Sequence, residues 1–194
     1  MAQHPKIAAI ILAAGVSQRF GAADKLQARL DNETVLSRSL AAYRGALPTR
    51  KIAVIRPDEN LAAICEAAGF ETLINHHADT GMGTSIATGI AALHEETHAL
   101  IGLGDMPRLT PQTIELLCQA PIQAAGIAIP TYRNRRGHPR LFTAAHFQDL
   151  AALTGDTGGR RIIERCQSVM EIVVDDAGVL LDIDTQDQLS AAQS

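Results

Sequence analysis

The segment LAAGVSQRFGAADKL combines small residues with two cations in a pattern that suits a phosphate chain. Ala13, Ala14 and Gly15 let the backbone approach a ligand closely, and Arg19 and Lys25 could neutralise its charge. The segment lacks the G-K-[ST] ending of a Walker A loop and contains no GxGxxG. We therefore expect a loop that binds a triphosphate, although an ordinary tight strand-to-helix turn would also favour glycine here.

Carboxylates that could hold a metal ion follow two other apolar segments. Asp105 stands in GDMP directly after the apolar run Ala99 to Leu103, so its side chain should emerge where a buried strand ends. Asp184, or else Asp182, could supply a second carboxylate from LLDIDTQDQL. A hard Mg²⁺ ion prefers one or two carboxylates together with phosphate oxygens. Asp105 could instead only form a turn, and Asp184 could cap the helix that follows it.

The segment from His94 to His98 reads HEETH and satisfies the HExxH pattern of zinc proteases. That motif requires both histidines on one continuous helix and a third ligand from elsewhere. His98 directly precedes the run that we assign to a strand, so the helix should already have ended. We therefore expect no zinc centre at this position.

Short apolar runs alternate with helix-like segments over the first part of the chain, and this alternation predicts an α/β protein. The predicted strands are 7–12, 52–55, 72–74, 99–103, 127–129 and 172–174, and the predicted helices are 34–43, 59–68, 85–94 and 111–119. Such a pattern favours a mostly parallel sheet with helices on both faces. Ligands bind such sheets beyond the carboxyl ends of the strands. Residues 13–25 and 104–107 are loops at such ends.

The length of 194 residues and the hydrophobic content of 46% predict one domain over 1–194. Within it we expect a nucleotide-binding half at about 1–120 and an acceptor-binding half at about 121–194. The pattern becomes irregular after Pro130, with a turn at 134–137 and a strand at 138–142. We expect this second half to cap one end of the sheet.

Composition limits the kinds of partner. A net charge of −4 and an aromatic content of 3% argue against an extended nucleic-acid surface. Cys65, Cys118 and Cys166 lie far apart without a CxxC pair, which fits a reducing, cytoplasmic compartment. No apolar stretch reaches the roughly 20 residues of a membrane span, so we expect a soluble protein. Arginines cluster at 133–140 and 160–165, and they could form solvated faces or bind a small anion.

Five further segments extend the pattern of the first loop over nearly the whole chain. They are GMGTSIATGI at 81–90, LGDMPRLTPQTI at 103–114, RRGHP at 135–139, LTGDTGGR at 153–160 and LLDIDTQDQL at 180–189. In this order, and with the first loop, they resemble the molybdenum cofactor cytidylyltransferase branch of the NTP-transferase family. The resemblance implies a Rossmann-like, three-layer fold and a magnesium-dependent nucleotidyltransferase.

The same resemblance assigns residues to the nucleotide. It implies contacts at Leu12, Ala13, Ala14, Gly15, Ser17, Arg19, Lys25, Gly81, Gly83 and Ser85. Arg19, Lys25 and Asp105 would be catalytic, with Mg²⁺ as the cofactor. At the start of the third predicted helix, Thr84 or Ser85 could equally be a helix cap.

The acceptor should bind where the chain supplies further cations, because a phosphorylated acceptor must approach an anionic triphosphate. Arginine offers a planar fork suited to phosphate, and glycines permit close backbone approach. We therefore expect acceptor contacts at Arg135, Arg136, Gly137, His138, Asp156, Gly158 and Gly159. The alternative is that 134–137 form only a solvated hairpin tip, with His138 and Pro139 starting an edge strand.

The resemblance implies molybdenum-bound molybdopterin as the acceptor, CTP as the favoured donor and pyrophosphate as the second product. A recipient molybdoenzyme or its chaperone is a further expected partner. A phosphomonoester oxygen is already anionic near neutral pH, so the reaction does not require a strong general base. Three alternatives remain open: guanylyl transfer to the same cofactor, transfer to a sugar phosphate, and a non-catalytic delivery protein. The RRGHP segment favours the cytidylyl branch.

Overall fold

The computed structural model describes residues 5–15, 20, 24–45 and 47–192. The strands are β1 Ile7–Ala13, β2 Arg29–Leu30, β3 Glu33–Thr34, β4 Arg50–Ile55, β5 Glu71–Ile74, β6 His98–Leu103, β7 Ile127–Tyr132, β8 Arg135–Arg136, β9 Arg140–Thr143 and β10 Val169–Val173. The α-helices are α1 Val35–Ala41, α2 Glu59–Ala67, α3 Met82–Ala91, α4 Pro111–Cys118, α5 Phe147–Ala151, α6 Arg160–Arg165 and α7 Gln186–Ala191. Short 3₁₀ turns span Ala78–Thr80, Ala144–His146 and Ala177–Leu180.

One sheet with the order β10-β7-β9-β6-β1-β4-β5 forms the centre of the molecule, and β8 pairs with β7. The strands β6, β1, β4 and β5 are parallel, whereas β9 runs antiparallel to both of its neighbours, β6 and β7. This confirms the predicted α/β class with a mostly parallel sheet. The prediction that the second half caps one end of the sheet is wrong, because β7, β9 and β10 extend the same sheet beyond β6.

The sheet is covered on both faces, and strand β1 shows why the sequence requires this. Its residues IAAIILA form a nearly continuous apolar run, as expected for a parallel strand buried on both sides. Successive side chains point to opposite faces, so Ile11 packs with residues of α1, α2 and α4, whereas Ile10 packs with residues of α3, α5 and α6. The two core layers therefore lie on either side of the sheet.

Local signals fix where several helices begin and end. The Thr34 side chain accepts a hydrogen bond from Ser37 N at the start of α1, and Asp58 accepts two at the start of α2. Helix α3 ends at Ala91, before His94, and His98 begins β6. The two histidines of the HExxH pattern therefore do not share a helix, as predicted. No helix in the described ranges has the length and apolar character needed to cross a bilayer.

Candidate active site

The side chain of Lys25 lies between two carboxylates at the carboxyl edge of the sheet. Its Nζ donates to Asp105 Oδ2 at 2.6 Å and to Asp184 Oδ1 at 2.8 Å. The side chains of Lys25 and Asp105 are only 14% and 15% exposed, whereas that of Asp184 is 37% exposed. The structure therefore brings together three of the residues predicted for catalysis and metal binding.

Backbone contacts between distant parts of the chain assemble this trio. Strand β6 runs beside β1, and Gly104 N donates to Leu12 O just before Asp105. The later segment returns to the same edge, because Ile183 N donates to Asp105 O at 2.9 Å. Asp184 does not cap the following helix, since Thr185 is the N-cap of α7 and forms a capping box with Gln188. The alternative role of Asp184 as a helix cap is therefore wrong.

Burial and neighbouring charges together shift the pKa values of Asp105 and Lys25. Burial raises the pKa of Asp105 above its usual value, Lys25 offsets part of this rise, and the charges of Asp182 and Asp184 add to it. Burial also acts to lower the pKa of Lys25, but Asp105 and Asp184 outweigh it and hold that pKa above its usual value. Lys25 therefore stays a cation in contact with two acidic side chains.

The donor set fits a divalent metal that keeps some of its ligands from substrate. Among the residues that the structure describes, no group of three or more His, Cys, Asp or Glu side chains could enclose an ion. Asp105 Oδ1, however, is buried and has no hydrogen-bond partner within these residues. One such oxygen beside a second carboxylate suits Mg²⁺ or Mn²⁺ bound to phosphates. Asp182 is exposed and lines a separate cavity of about 470 Å³, so Asp184 is the better second ligand.

The first loop can be followed only at its two ends, because Ser17 and Arg19 lie outside the described residues. Ala13 and Ala14 are buried, so we expect any contact with a phosphate chain there to come from their backbone. Gly15 is exposed, and a Cβ built on it would meet nothing within 4 Å. The roles of the loop residues, including Leu12, stay predictions.

An arginine that the sequence interpretation missed connects the two ends of this loop. Arg56 follows β4 and donates to Gly15 O at 3.3 Å and to the carboxylates of Asp24 and Asp58. Gln27 Nε2 bridges the same two carboxylates, at 2.9 and 3.0 Å. Asp24 immediately precedes Lys25, so this network fixes the backbone that carries the lysine. The signal in the sequence was the position of Arg56 at the end of a predicted parallel strand.

Two predicted nucleotide-binding glycines contact a predicted acceptor segment. Gly81 has φ +122° and is the N-cap of α3, so the helix starts three residues before the predicted Ser85, and neither Thr84 nor Ser85 caps it. A Cβ at Gly81 would lie 2.3 Å from the Gly155 carbonyl carbon, and Gly83 N donates to Gly155 O at 2.8 Å. Both glycines are therefore required by backbone packing, whatever they do for a ligand.

Ser85 is buried within the first half of the chain. Its Oγ accepts a hydrogen bond from Asn75 Nδ2 at 3.0 Å, and Asn75 also donates to Thr84 Oγ1. Asn75 directly follows β5 and is itself buried. The structure thus gives Ser85 a partner in the fold, and its predicted contact with a nucleoside stays a prediction.

The predicted acceptor residues around β8 differ in character. Arg135 and Arg136 are exposed on a hairpin whose turn residues, Arg133 and Asn134, both have positive φ. Arg136 forms an ion pair with Glu171 at 2.7 Å. The structure therefore shows a hairpin tip at this position, and the predicted contact of Arg135 and Arg136 with the acceptor stays a prediction. The expectation that His138 and Pro139 start an edge strand is wrong, because β9 lies inside the sheet between β6 and β7.

The backbone after this hairpin packs closely on a later segment. Gly137 is buried, and a Cβ there would lie 2.3 Å from Val179 O. His138 N donates to the same carbonyl at 2.9 Å. Burial, and then the charge of Arg140, lowers the pKa of the His138 side chain to about 3. His138 is therefore a neutral imidazole at physiological pH and adds no positive charge to the site.

The second predicted acceptor segment, residues 153–160, lies on the face of the sheet that is covered by α3, α5 and α6. Gly159 is buried and is the N-cap of α6, and a Cβ on it would lie 3.2 Å from the Phe142 ring. Gly158 lies beside Met82, and Asp156 is exposed. The structure therefore places this segment between the start of α3 and Phe142 of β9.

Comparison with known proteins identifies the family. The model described as the MobA-like NTP transferase domain matches residues 9–169, which includes the loop before Lys25 and the Asp105 turn. The chain belongs to this family.

Similar proteins match the MobA-like chain over nearly its full length. Nicotine blue oxidoreductase from Paenarthrobacter nicotinovorans is 28% identical over 207 residues, with 95% of each chain covered. The structure of Rv0371c from Mycobacterium tuberculosis H37Rv has a TM-score of 0.82 at 28% identity and covers 97% of this chain and 98% of that one. Rv0371c has also been solved in complex with manganese, with a TM-score of 0.78.

A third relative matches only part of the MobA-like chain. The 2-C-methyl-D-erythritol 4-phosphate cytidylyltransferase from Dehalococcoides mccartyi is 30% identical over 115 residues, or 57% of this chain and 51% of the relative. The family confirms the suspected NTP-transferase membership and the nucleotidyltransferase class.

Proposed function

We propose that this chain transfers CMP from CTP to the phosphate of molybdenum-bound molybdopterin and releases pyrophosphate. The observation that carries the proposal is the buried contact of Lys25 with Asp105 and Asp184 at the carboxyl edge of the sheet. A cation and two carboxylates at that edge are the groups that nucleotidyl transfer requires. The donor preference rests on the RRGHP resemblance, and a relative named a cytidylyltransferase is compatible with it.

The residues of the chain would act mainly by position and charge. Lys25 would stabilise negative charge on the attacked α-phosphate and on the departing pyrophosphate, with Arg19 as a second cation. Asp105 and Asp184 would hold a divalent metal, which when bound neutralises phosphate oxygens. The acceptor phosphate attacks in line without a general base, because it is already an anion. Transfer forms one P–O bond to the acceptor and breaks the α–β phosphoanhydride bond.

The division into a nucleotide-binding half and an acceptor-binding half is also part of the proposal. The contact of Gly81 and Gly83 with Gly155 supports an arrangement in which the two substrates meet where the halves touch. Reacting groups must be held close together for such a transfer, and neighbouring binding segments provide this.

The test is pyrophosphate release measured with each of the four NTPs and with molybdenum-loaded molybdopterin, molybdenum-free molybdopterin or sugar phosphates as acceptors. The proposal expects turnover with CTP and molybdenum-loaded cofactor, and formation of the cytidylylated product. A preference for GTP would show that the proposed donor is wrong. Turnover with sugar phosphates would show that the proposed acceptor is wrong. Binding of an NTP without release of pyrophosphate from any acceptor would indicate a delivery protein.

Two further arms sharpen this experiment. One relative is named an oxidoreductase, so oxidation of NADH and NADPH is followed in parallel; redox activity without pyrophosphate release would overturn the proposal. The metal is tested by removing divalent ions with a chelator and restoring Mg²⁺ or Mn²⁺ separately. We expect activity to disappear and to return with Mg²⁺, and recovery with Mn²⁺ alone would change the proposed cofactor.

A further inference from the structure

Arg140 begins strand β9 and is a half-buried cation without an acidic partner within the described part of the chain. Its Nε donates only a long hydrogen bond, at 3.4 Å, to the backbone oxygen of Gly137. The nearby arginines do have carboxylate partners: Arg136 pairs with Glu171 and Arg160 pairs with Glu164. A half-buried guanidinium without a counter-charge is costly, so a function is expected for it.

The antiparallel direction of β9 places Arg140 at the active-site edge. Arg140 is in register with Ile101 of β6, and β6 continues only to Leu103 before the turn that contains Asp105. A parallel strand would have its first residue at the opposite edge of the sheet. The reversed strand thus brings the start of β9 to the edge where β1 and β6 end.

The side chain of Arg140 shares a face of the sheet with Phe142, because residues two apart in a strand point the same way. Phe142 packs in the core layer with α3, α5 and α6, and Gly159 lies directly against its ring. Arg140 lies two residues nearer the active-site edge on this face. The burial of Arg140 and then the charges of Arg136 and Arg160 lower the pKa of its guanidinium, so these two arginines are close enough to act on it.

We propose that Arg140 binds the phosphate monoester of the acceptor. This inference rests on the proposed function and names a residue outside the predicted acceptor set. A bound phosphate would supply the counter-charge that the Arg140 guanidinium lacks among the described residues. The planar fork of Arg140 can donate two parallel hydrogen bonds to phosphate oxygens. Arg135 and Arg136, which are exposed, then contribute less than the sequence predicts.

The steady-state test compares Arg140→Gln and Arg140→Lys with a matched surface control, Arg38→Gln. Arg38, unlike Arg140, forms an ion pair with a carboxylate, that of Asp31, and it lies on the outer side of α1. We expect Arg140→Gln to raise the acceptor KM at least about tenfold and to leave the KM for the NTP unchanged. Arg140→Lys should recover part of the loss, since it keeps the charge without the fork. An unchanged acceptor KM in Arg140→Gln would overturn the inference.

A binding measurement separates this inference from the proposed function. Inorganic phosphate is added to the wild-type protein and to each variant at constant ionic strength, and the Tm is recorded. We expect phosphate to raise the Tm of the wild type and Arg38→Gln, and to raise that of Arg140→Gln clearly less. Equal shifts in all three proteins would overturn the site, even if transfer activity is confirmed. A selective loss of the shift would support the site even if the acceptor proves to be another phosphomonoester.

If Arg140→Gln does not fold, the phosphate site is tested with the wild type and Arg140→Lys instead. Phosphate should then slow the modification of Arg140 by an arginine-specific reagent in the wild-type protein. The extent of modification is measured by mass spectrometry of the peptide that contains Arg140. Absence of protection would overturn the inference.

Discussion

At the scale of single residues, the site holds one lysine between two carboxylates. Lys25 donates to Asp105 and to Asp184, and Asp105 keeps a buried oxygen without a partner in the described chain. A fold that only needed stability would gain more from apolar side chains of similar volume. The trio is therefore the kind of arrangement expected of a functional site, and it is compatible with the proposed divalent metal.

Replacing Asp105 by Asn should remove catalysis and keep the fold. The amide preserves the shape of the side chain and the backbone bond to Ile183, but it loses the charge that a metal ligand supplies. We expect kcat/KM to fall at least about 100-fold, with little change in Tm. Asp182→Asn is the control, because Asp182 is a nearby but exposed carboxylate. Near-wild-type activity of Asp105→Asn at saturating Mg²⁺ would contradict the assignment.

Replacing Lys25 by Met should lower kcat by at least about 100-fold, the scale of losing one preorganised charge stabiliser. Lys6→Met is the matched control: Lys6 also bonds a carboxylate at 2.6 Å, to Glu95, but its side chain is 58% exposed. The measurement is steady-state kinetics with the NTP varied. A higher KM with unchanged kcat would show that Lys25 contributes only uniform binding.

His138 should make the protein less stable in acid. Its pKa is about 3 in the folded protein, against an ordinary value of 6.5, so the unfolded chain binds more protons between these values. Stability therefore rises with pH across this window, and its contribution is lost as the pH falls below about 6.5. We expect His138→Gln to reduce the drop in Tm between neutral pH and about pH 5. Identical Tm profiles for variant and wild type would contradict this.

Among these residues, Lys25 and Asp105 can be predicted from sequence because the loop that carries Lys25 and the turn that carries Asp105 each follow a strongly apolar strand. The position of Arg56 directly after a strand is a similar signal, but its role depends on the carboxylates that it contacts. The role of Arg140 depends on the reversed direction of β9, and long-range pairing of strands sets both features. For example, Arg56 contacts Asp24 across 32 positions of sequence.

At the scale of elements, the start of α3 packs closely against the backbone of residues 154–156. The strand-helix alternation predicts α3, but the observed helix starts three residues before the predicted one. The apolar pattern of the helix does not reveal the positive φ of Gly81, where the helix is capped. The approach of Gly155 requires glycine there for a reason that only the tertiary structure shows. Local patterns thus predict that an element exists more reliably than where it begins.

Gly81→Ala should push the start of α3 away from the backbone of residues 154–156. The new methyl group would meet the backbone of Gly155 at 2.3 Å, and φ +122° is unfavourable for alanine. We expect a loss of at least about 1 kcal/mol in the free energy of unfolding, together with reduced activity. Gly45→Ala is the control, since a Cβ there has 3.9 Å to its nearest neighbours. Equal denaturation midpoints for the two variants would contradict the packing account.

At the scale of the whole molecule, the sheet order explains how the second half of the chain reaches the site. The sequence predicts strands near β7, β9 and β10, but not that a reversed strand is inserted between β6 and β7. Strand pairing of this kind depends on contacts between residues far apart in sequence, which local periodicity does not contain. The fold class can therefore be predicted, and the arrangement of the acceptor segment cannot.

Asp176 anchors this second half and should be important for global stability. It is buried, its Oδ2 accepts from Thr110 N, Thr110 Oγ1 and Thr113 Oγ1, and its Oδ1 accepts from Gly178 N. Asp176→Ala would leave buried donors without a partner, at a cost of about 1–3 kcal/mol. The adjacent, exposed Asp175→Ala is the control. Similar unfolding free energies by urea denaturation for both variants would contradict this role.

The return of residues 182–184 to the Asp105 turn also determines when the site can form during protein synthesis. Lys25 and Asp184 are 159 positions apart, and their contact needs the segment that Ile183 holds beside β6. A nascent chain that has emerged from the ribosome only through β10 has every strand of the central sheet but lacks the second carboxylate. The charge trio is therefore among the last features of the described chain to assemble, after translation has supplied the whole sheet.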